Sequence, residues 1–450
     1  MMTGRRILPD LVDGLLIWLF LVGIYVDVAV QLSANVPVPS VIAGAAGCLM
    51  LIKNANRIEE RHVVALVGVL LLYLLSILCA PDYSYLFGRL KGLIQLAYSF
   101  VVGYGFFVTI TKYDRLGAAR FFLAFCAFIV IGCFLENYTG FRAVSDAFRE
   151  RIYNFGLYSS DIRDELLYGR IRPKLFTSEP SAVSFAFALF SFAWYVLSKW
   201  RLKVVGYLAM LCAGYLLMRG PTLLLGVALM VPYEVLLAAR FVERGRTSYN
   251  FTQVFVALLL SGIVAAAAVV AASTVYAVRL NDIASGSDPS FFSREIGPYL
   301  TAKIVIAAHP FAGAGLTGWE GIDGIVRQII ATTPRLIVDW DFDKVSHALT
   351  NYFWEHWYFL GLFWGTVTLA GLTVYLRALD CPSPIFCWIV WAVFGQASGA
   401  YVSPKTWFVL YLAAAVALLH QREPAPQYVA ARLSSMRRHE PRLSWGYDLR

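Results

Sequence analysis

Long apolar runs recur along the whole chain and are separated by shorter polar segments. Most of them approach the ~17–25 residues that a helix needs to cross about 30 Å of hydrocarbon. We therefore predict an all-α polytopic membrane protein with about twelve transmembrane helices. The first run lacks a convincing small-residue cleavage site, so we expect a span there and not a cleaved signal peptide. The predicted spans lie near 14–30, 36–52, 63–80, 92–110, 119–135, 180–198, 204–218, 221–238, 253–276, 351–374, 385–398 and 404–420.

The segments between these spans alternate in charge. One set is short and basic, with "KNANRIEERH" (53–62), "TKYDR" (111–115) and "KWRLK" (199–203) as examples. Because Lys and Arg accumulate in cytoplasmic loops, we place this set and both termini in the cytoplasm. The other set then faces outward. The resulting division is five N-terminal helices (1–135), an extracytoplasmic loop (136–179), four central helices (180–276), a large extracytoplasmic loop (277–350), three C-terminal helices (351–420) and a basic cytoplasmic tail (421–450).

Composition supports a membrane protein. Hydrophobic residues make up 59% of the chain and charged residues only 15%, whereas a soluble chain is about 25% charged. The net charge of +9 would suggest nucleic acid in a soluble protein. In a membrane protein it indicates cytoplasmic anchoring and an anionic partner on the outer side, so we expect the lipid bilayer and no nucleic acid. The seven cysteines show neither zinc-site spacing nor a disulfide framework.

Arginines in the predicted outer segments are the first candidates for function. Arg219 is the only charge in the tight turn "LLMRGPTLLLG", and Arg172 and Arg294 lie in the two long loops. An arginine between two apolar spans usually has a partner or ligand, although it can also snorkel to lipid headgroups. The two loop arginines could equally be solvated and paired with local acids. Together, the three guanidinium groups suit bidentate contacts with oxyanions such as a diphosphate.

His347 begins the polar entry to an apolar run, "SHALTNYFWEHWYFLGLFWG". If the helix starts there, 100° per residue puts Asn351 and Trp354 on its face and His356 on the opposite side. An imidazole can activate or orient a hydroxyl nucleophile near neutral pH. A capping or headgroup-facing role is the alternative.

"TSEPSA" (177–182) precedes the sixth predicted span. Ser178 can cap a helix, Glu179 suits its positive start and Pro180 suits its first turn. The alternative is that Glu179 binds an acceptor substrate. In the second loop, "GAG" (313–315) is interpreted as part of a flexible link.

Asp339, Asp341 and Asp343 alternate within "VDWDFDK". Carboxylates at this spacing could bind a divalent cation. No glycine turn closes a calcium loop here, so a solvated acidic loop is the preferred interpretation, and we expect neither a metal nor another cofactor.

These stretches, in this order, resemble the O-antigen ligase and polymerase superfamily of membrane glycosyltransferases of the GT-C type. The resemblance covers roughly 170–375: the arginine of "MRGPTLLLG", then "SREIGPYLTAKIVIAAHPFAGAGLTG", then the segment beginning "SHALTNY". Ala348 departs from the pattern, because many members have asparagine after the histidine. "FTSEPS" is similar to exopolysaccharide polymerases, which favours the Wzy-type branch.

The resemblance implies a glycan donor linked to undecaprenyl diphosphate. Arg219 and Arg294 would stabilise the departing lipid diphosphate without a metal, and His347 would activate or orient the acceptor hydroxyl. Arg172, Glu179 and Asn351 would contribute to substrate binding. The aromatic side chains that could stack on sugars, or instead form an interfacial belt, are Trp319, Trp340, Trp354 and Tyr299.

The resemblance leaves alternatives within and outside the enzyme class. A ligase that transfers the finished glycan to lipid A-core or to protein shares the donor chemistry with a polymerase. A transporter of lipid-linked oligosaccharide is less expected, because the predicted spans carry little central charge. The expected location is the bacterial cytoplasmic membrane, with the active site on its outer face and a flippase and a chain-length regulator as further candidate partners.

Overall fold

The computed structural model describes residues 10–33, 36–153, 157–158, 160–243, 246–249, 277–333 and 348–422, together with scattered positions in 251–276. Its helices are α1 (Leu11–Val26), α2 (Val41–Lys53), α3 (Glu60–Leu78), α4 (Leu86–Ile110), α5 (Arg115–Tyr138), α6 (Phe141–Ile152), α7 (Asp161–Tyr168), α8 (Pro180–Leu197), α9 (Lys203–Met218), α10 (Leu223–Ala228), α11 (Met230–Tyr233), α12 (Ala277–Ser285), α13 (Pro289–Phe291), α14 (Gly297–Ala308), α15 (Trp319–Thr332), α16 (Tyr352–Ala378), α17 (Pro384–Gly395) and α18 (Pro404–Gln421). Shorter helical turns are Ala55–Arg57, Glu234–Ala238 and Phe292–Ile296, the last two with π geometry.

In the part of the chain that the structure describes, strands form two small antiparallel hairpins. β1 (Val30–Ser33) pairs with β2 (Val36–Val38), and β3 (Arg240–Glu243) pairs with β4 (Arg246–Tyr249). The first hairpin shortens the second predicted span, since α2 begins only at Val41. The described part of the chain is otherwise built from helices and their connections.

Five described helices are long and apolar enough to cross a membrane: α3, α4, α5, α8 and α16. Five shorter apolar helical stretches accompany them. The predicted all-α membrane architecture is therefore confirmed, whereas the number of twelve spans stays a prediction. The predicted span 253–276 lies largely outside the described residues.

Two helices form the centre of the bundle. α8 is buried along almost its whole length, and α18 likewise faces protein on nearly all sides. α18 packs against α4, α8 and α17, and α5 packs against α8. A helix that is apolar all round can lie in a protein interior or in lipid, and here the neighbouring helices enclose both of them. The phenylalanines at 190 and 408 meet in this core with ring centroids 6.3 Å apart.

Both long predicted loops contain regular structure. The first holds α6 and α7, and the second holds α12 to α15. The expected flexible link at "GAG" is wrong, because the turn is packed tightly. Gly313 and Gly315 have φ values of 56° and 84°, and the Ala314 amide donates to the Tyr358 carbonyl at 2.9 Å. The buried Arg89 guanidinium donates to the Ala314 carbonyl at 2.8 Å.

The expected helical face of His347 is also wrong. α16 begins at Tyr352, and Asn351 is an N-cap with extended backbone, φ −144° and ψ 96°. Residues 349–351 are not helical. Counting at 100° per residue therefore cannot relate His347 to Asn351 or Trp354. His347 itself lies outside the described residues.

Candidate functional site

A basic cavity of about 210 Å³ lies where the two predicted outer loops meet the start of α8. Four guanidinium groups and one carboxylate are among its described lining side chains. The lining residues are Tyr158, Arg163, Tyr168, Arg172, Glu179, Pro180, Ser181, Arg279, Pro289, Ser290, Ser293, Arg294 and Thr350. Residues more than a hundred positions apart in the chain thus form one small concave surface.

Arg172 is held by the short helix α7. Its Nη2 lies 2.9 Å from Oδ1 of Asp164, a residue buried on the inner face of that helix. The guanidinium also stacks over the ring of Tyr168, 4.4 Å from its centroid. The aspartate and the tyrosine fix the orientation of the charge, while the remaining N–H groups of its planar fork are available to the cavity.

Arg279 is held in the same manner from the second loop. Its Nε lies 2.9 Å from Oδ2 of Asp288, and its Nη1 donates to the Tyr168 hydroxyl at 2.6 Å. Asp288 also caps the following turn by accepting from the Phe291 amide at 2.7 Å. Arg163 reaches the same carboxylate at 4.0 Å. One aspartate therefore orders two arginines and the turn that leads to Arg294.

Arg294 differs from the other cavity arginines in its partners. It lies in the π turn Phe292–Ile296, and its Nη1 donates to the Ser290 hydroxyl at 3.0 Å. No carboxylate of the described residues lies within 4.0 Å of its guanidinium. Burial lowers the pKa of Arg294; nearby Glu179 acts in the opposite direction, and the charges of Arg279 and Arg172 lower it further. A bound anion would relieve that repulsion.

Glu179 reaches the cavity from a segment with unusual backbone geometry. Leu175 and Phe176 have positive φ values, 33° and 66°, which are uncommon for side chains of this size. Glu179 is the N-cap residue of α8, with extended φ and ψ of −148° and 154°. Ser178 is therefore not the cap, and the Glu179 side chain makes no capping hydrogen bond. Its Oε1 accepts from the Ser181 hydroxyl.

Arg219 lies beside the cavity and not in its lining. It ends α9 in a left-handed conformation, φ 47°, and its Nη1 donates to the backbone carbonyl of Tyr168. Tyr168 lines the cavity and accepts from Arg279. Arg219 thus contacts the backbone of a residue that lines the cavity, on the side away from the cavity.

The other predicted site residues have separate positions. The side-chain amide of Asn351 donates through Nδ2 to the Arg294 carbonyl at 2.6 Å and to Gln396 Oε1 at 2.8 Å. Trp354 packs against Tyr299, with centroids 5.2 Å apart. Trp319 lies away from the cavity lining, edge-on to Phe359 at 5.1 Å.

His347 lies outside the described residues. Thr350, three residues later, lines the cavity, and its amide donates to the Ser293 carbonyl at 2.9 Å. Trp340 and the aspartates 339, 341 and 343 also lie outside the described residues. Within the described ranges, no three His, Cys, Asp or Glu side chains are grouped so that they could hold a metal ion.

Sequence reasoning missed Arg163, Arg279, Tyr158 and Tyr168. Arg279 follows a predicted span directly on the outer side, which is the signal that singled out Arg219. The other three lie in or beside "DIRDELLY" (161–168). That stretch has no spacing typical of a binding site, so only the packing of α7 reveals them.

The cavity can bind a multiply charged oxyanion. Guanidinium groups offer paired N–H donors in a plane, which matches phosphate and carboxylate oxygens. Tyrosine rings beside them provide flat apolar faces of the kind that pack on sugars. No protein-family model matches the chain, and no curated protein matches it at a significant level.

Proposed function

We propose that the protein is a membrane glycosyltransferase of the O-antigen ligase and polymerase superfamily, of GT-C type. In this proposal it is a Wzy-type polysaccharide polymerase. It transfers a glycan from undecaprenyl diphosphate onto a lipid-linked repeat unit at the outer face of the bacterial cytoplasmic membrane.

One observation supports this proposal above the others. Two segments that contain parts of the resemblance, "RIRPKLFTSEPSA" with its "FTSEPS" and "FFSREIG" with its "SREIG", supply Arg172, Glu179 and Arg294 to one cavity. These segments are more than a hundred residues apart, and the sequence similarity alone does not state that they meet. If these arginines were only solvated on the protein surface, the two segments would not need to converge on one cavity.

The cavity suits the leaving group of such a reaction. When the bond between the anomeric carbon and the diphosphate oxygen breaks, negative charge grows on the diphosphate. Preorganised donors stabilise such charge without reorganising during the reaction. Arg294, which is half-buried and lacks a described carboxylate partner, is the side chain best placed to receive it. Arg172 and Arg279 would hold the remaining oxygens, and Arg219 would keep Tyr168 in position.

The acceptor would approach from the side of Thr350. His347 precedes that residue by three positions, and in this proposal it activates or orients the acceptor hydroxyl. Trp354 and Tyr299 form an aromatic pair, half-buried and exposed respectively, that could stack on a sugar of the glycan.

The deciding experiment measures the glycan that accumulates on the lipid diphosphate when the gene is deleted. We expect single repeat units, because a polymerase is needed to join them. Full-length chains stranded on the lipid would contradict polymerisation and favour the ligase alternative. An unchanged lipid-linked pool would contradict both.

Complementation connects this result to the cavity. We expect Arg294→Gln to leave single repeat units on the lipid, as the deletion does. Arg327→Gln is the matched control, because Arg327 is half-exposed on α15 in an i,i+4 pair with Asp323. Such pairs contribute little to stability, so this variant should restore full-length polymer.

An assay with purified protein distinguishes the proposed glycosyltransferase from a transporter. In detergent there is no gradient and no second compartment. Formation of a glycosidic bond between two lipid-linked repeat units under those conditions supports the enzyme, whereas transport in vesicles without bond formation would contradict it.

A further inference from the structure

Glu179 is the only carboxylate among the described residues that line the basic cavity. An anionic donor and a carboxylate repel each other, so a cavity that only bound diphosphate would be better without it. The simplest alternative is that Glu179 neutralises an arginine. No ion pair within 4.0 Å joins it to a described arginine, however. Glu179 influences Arg294 through space, and no described arginine is paired with its carboxylate.

The segment that delivers Glu179 is fixed by three polar side chains. The buried Glu136 carboxylate accepts from the amides of Lys174 and Leu175 at 2.9 and 2.7 Å. The Ser145 hydroxyl accepts from the Phe176 amide at 3.0 Å.

Arg149 completes this support. It donates to the carbonyls of Thr177 and Ser178 at 2.7 and 3.0 Å. Left-handed backbone at two adjacent large residues persists only where surrounding contacts impose it, and such strain is concentrated at functional sites. The fold therefore presents Glu179 at one position with little freedom.

The carboxylate itself is oriented as well. Ser181, in the first turn of α8, donates to Oε1. No described residue donates a hydrogen bond to Oε2. The arrangement has one oxygen held by the protein and one available, which is the geometry of a base that accepts a proton from a bound hydroxyl.

We propose that Glu179 is the general base of the transfer, a role that rests on the proposed function. The acceptor hydroxyl oxygen forms a bond to the anomeric carbon of the donor, while the bond from that carbon to the diphosphate oxygen breaks. The proton of the hydroxyl moves to Oε2 of Glu179. The electron pair of the broken bond leaves with undecaprenyl diphosphate, whose charge the arginines hold.

The test compares Glu179→Gln and Glu179→Asp with wild-type protein in detergent, using a lipid-diphosphate-linked repeat unit as donor and acceptor. A general base contributes about 10²–10⁴-fold, so Glu179→Gln should lower kcat by that factor. KM and donor binding, measured by native mass spectrometry, should change by less than about threefold. Glu179→Asp keeps a carboxylate at shorter reach and should retain more activity. Glu165→Gln is the matched control, because Glu165 is exposed on α7 and does not line the cavity.

Chemical rescue separates proton transfer from structure. Glu179→Ala leaves space where a small carboxylate can bind, so formate should restore turnover at least tenfold. Formate should not rescue Arg294→Gln. Turnover of Glu179→Gln within threefold of wild type, or absence of formate rescue in Glu179→Ala, would overturn the role of Glu179. Neither result would affect the proposed function, which fails only if the wild-type protein forms no glycosidic bond.

Discussion

Asn351 is completely buried at the start of α16, and its side chain joins three elements. Its Oδ1 accepts from the Trp354 amide at 3.2 Å, and its Nδ2 donates to the Arg294 carbonyl and to Gln396. The residue thus ties the turn that carries Arg294 to α16 and α17. Its predicted role in substrate binding stays a prediction; in the structure Asn351 does not line the cavity and instead holds the turn that carries Arg294.

The substitution Asn351→Asp separates these two functions of the side chain. Aspartate keeps the oxygen that caps α16 but has no N–H groups for Arg294 or Gln396. A buried acceptor left without a donor costs about 1–3 kcal/mol. We expect a lower melting temperature and reduced transfer, with kcat lowered more than KM for the donor is raised, because the displaced Arg294 would act on the departing diphosphate. Thermal unfolding in detergent and steady-state kinetics measure both.

A matched substitution at Gln396 tests whether the loss of stability and activity in Asn351→Asp comes from the missing N–H donors. Gln396→Glu exchanges the group at the other end of one of these hydrogen bonds, and its carboxylate can accept but not donate. In Asn351→Asp the new carboxylate would face two acceptors, the Arg294 carbonyl and Gln396 Oε1. Gln396→Glu keeps the bond from Asn351 and loses only the bond that Nε2 of the half-buried Gln396 donates to the Ala392 carbonyl at 3.1 Å. Gln396→Glu should therefore be milder, and equal losses in both variants would contradict the assigned bond directions.

At the scale of elements, α16 and the glycine-rich turn 309–318 are interlocked. α16 is interrupted at Gly361, where φ is 67° and ψ is −175°. The amides of Leu362 and Phe363 donate to the Pro310 carbonyl at 2.7 and 3.2 Å. A β-carbon on Gly361 would lie 2.7 Å from the Gly313 amide nitrogen and from the Pro310 carbonyl oxygen. Only glycine fits both the backbone angles and the close approach.

We expect Gly361→Ala to destabilise the protein by about 2–4 kcal/mol, since backbone strain and steric overlap add. Gly324→Ala is the control, because Gly324 lies in α15 with open space around its α-carbon. There the same substitution should stabilise by about 0.4–1 kcal/mol. Melting temperatures in detergent should move in opposite directions, and a neutral Gly361→Ala would show that this junction can relax.

Elements of this kind mark the limit of sequence reasoning. The apolar runs predicted the positions of most long helices, because membrane helices need length and hydropathy and little else. The kink at Gly361 depends on a carbonyl from a distant turn, which no local pattern reports. α6 was missed although Phe141, Val144 and Phe148 follow a helical spacing within the first loop. Because this segment was predicted to be a loop, its amphipathic helix was not recognised from the sequence.

The same limit applies to the cavity. Arg172 and Arg294 could be chosen from the sequence as arginines in the predicted outer loops, and Glu179 from its place directly before the sixth predicted span. Arg279 could have been found by that argument. The sequence does not tell whether an arginine lines the cavity, as Arg279 does, or contacts a lining residue from outside it, as Arg219 contacts the Tyr168 carbonyl. Long-range packing decides this, and one sequence carries no direct record of it.

At the scale of the whole molecule, α8 relates the cavity to the membrane. Its N-terminal end, at Pro180, lines the cavity, and its C-terminal end leads into the basic segment 199–203. The helix has 18 residues and is apolar enough to cross a membrane, and at about 1.5 Å per residue it extends for about 27 Å. The two ends should therefore face opposite sides, with the basic segment in the cytoplasm.

Single cysteines at the two ends test this orientation. Glu165 lies on α7 beside the cavity and Arg201 lies beyond the end of α8, and both are exposed. The exposed native cysteines 48, 79 and 212 would first be replaced by alanine. A membrane-impermeant maleimide should label Glu165→Cys in intact spheroplasts and Arg201→Cys only after permeabilisation. The reverse labelling pattern would place the cavity in the cytoplasm, where glycans presented on the outer leaflet cannot reach it. Labelling of both cysteines in intact spheroplasts would mean that α8 does not cross the membrane.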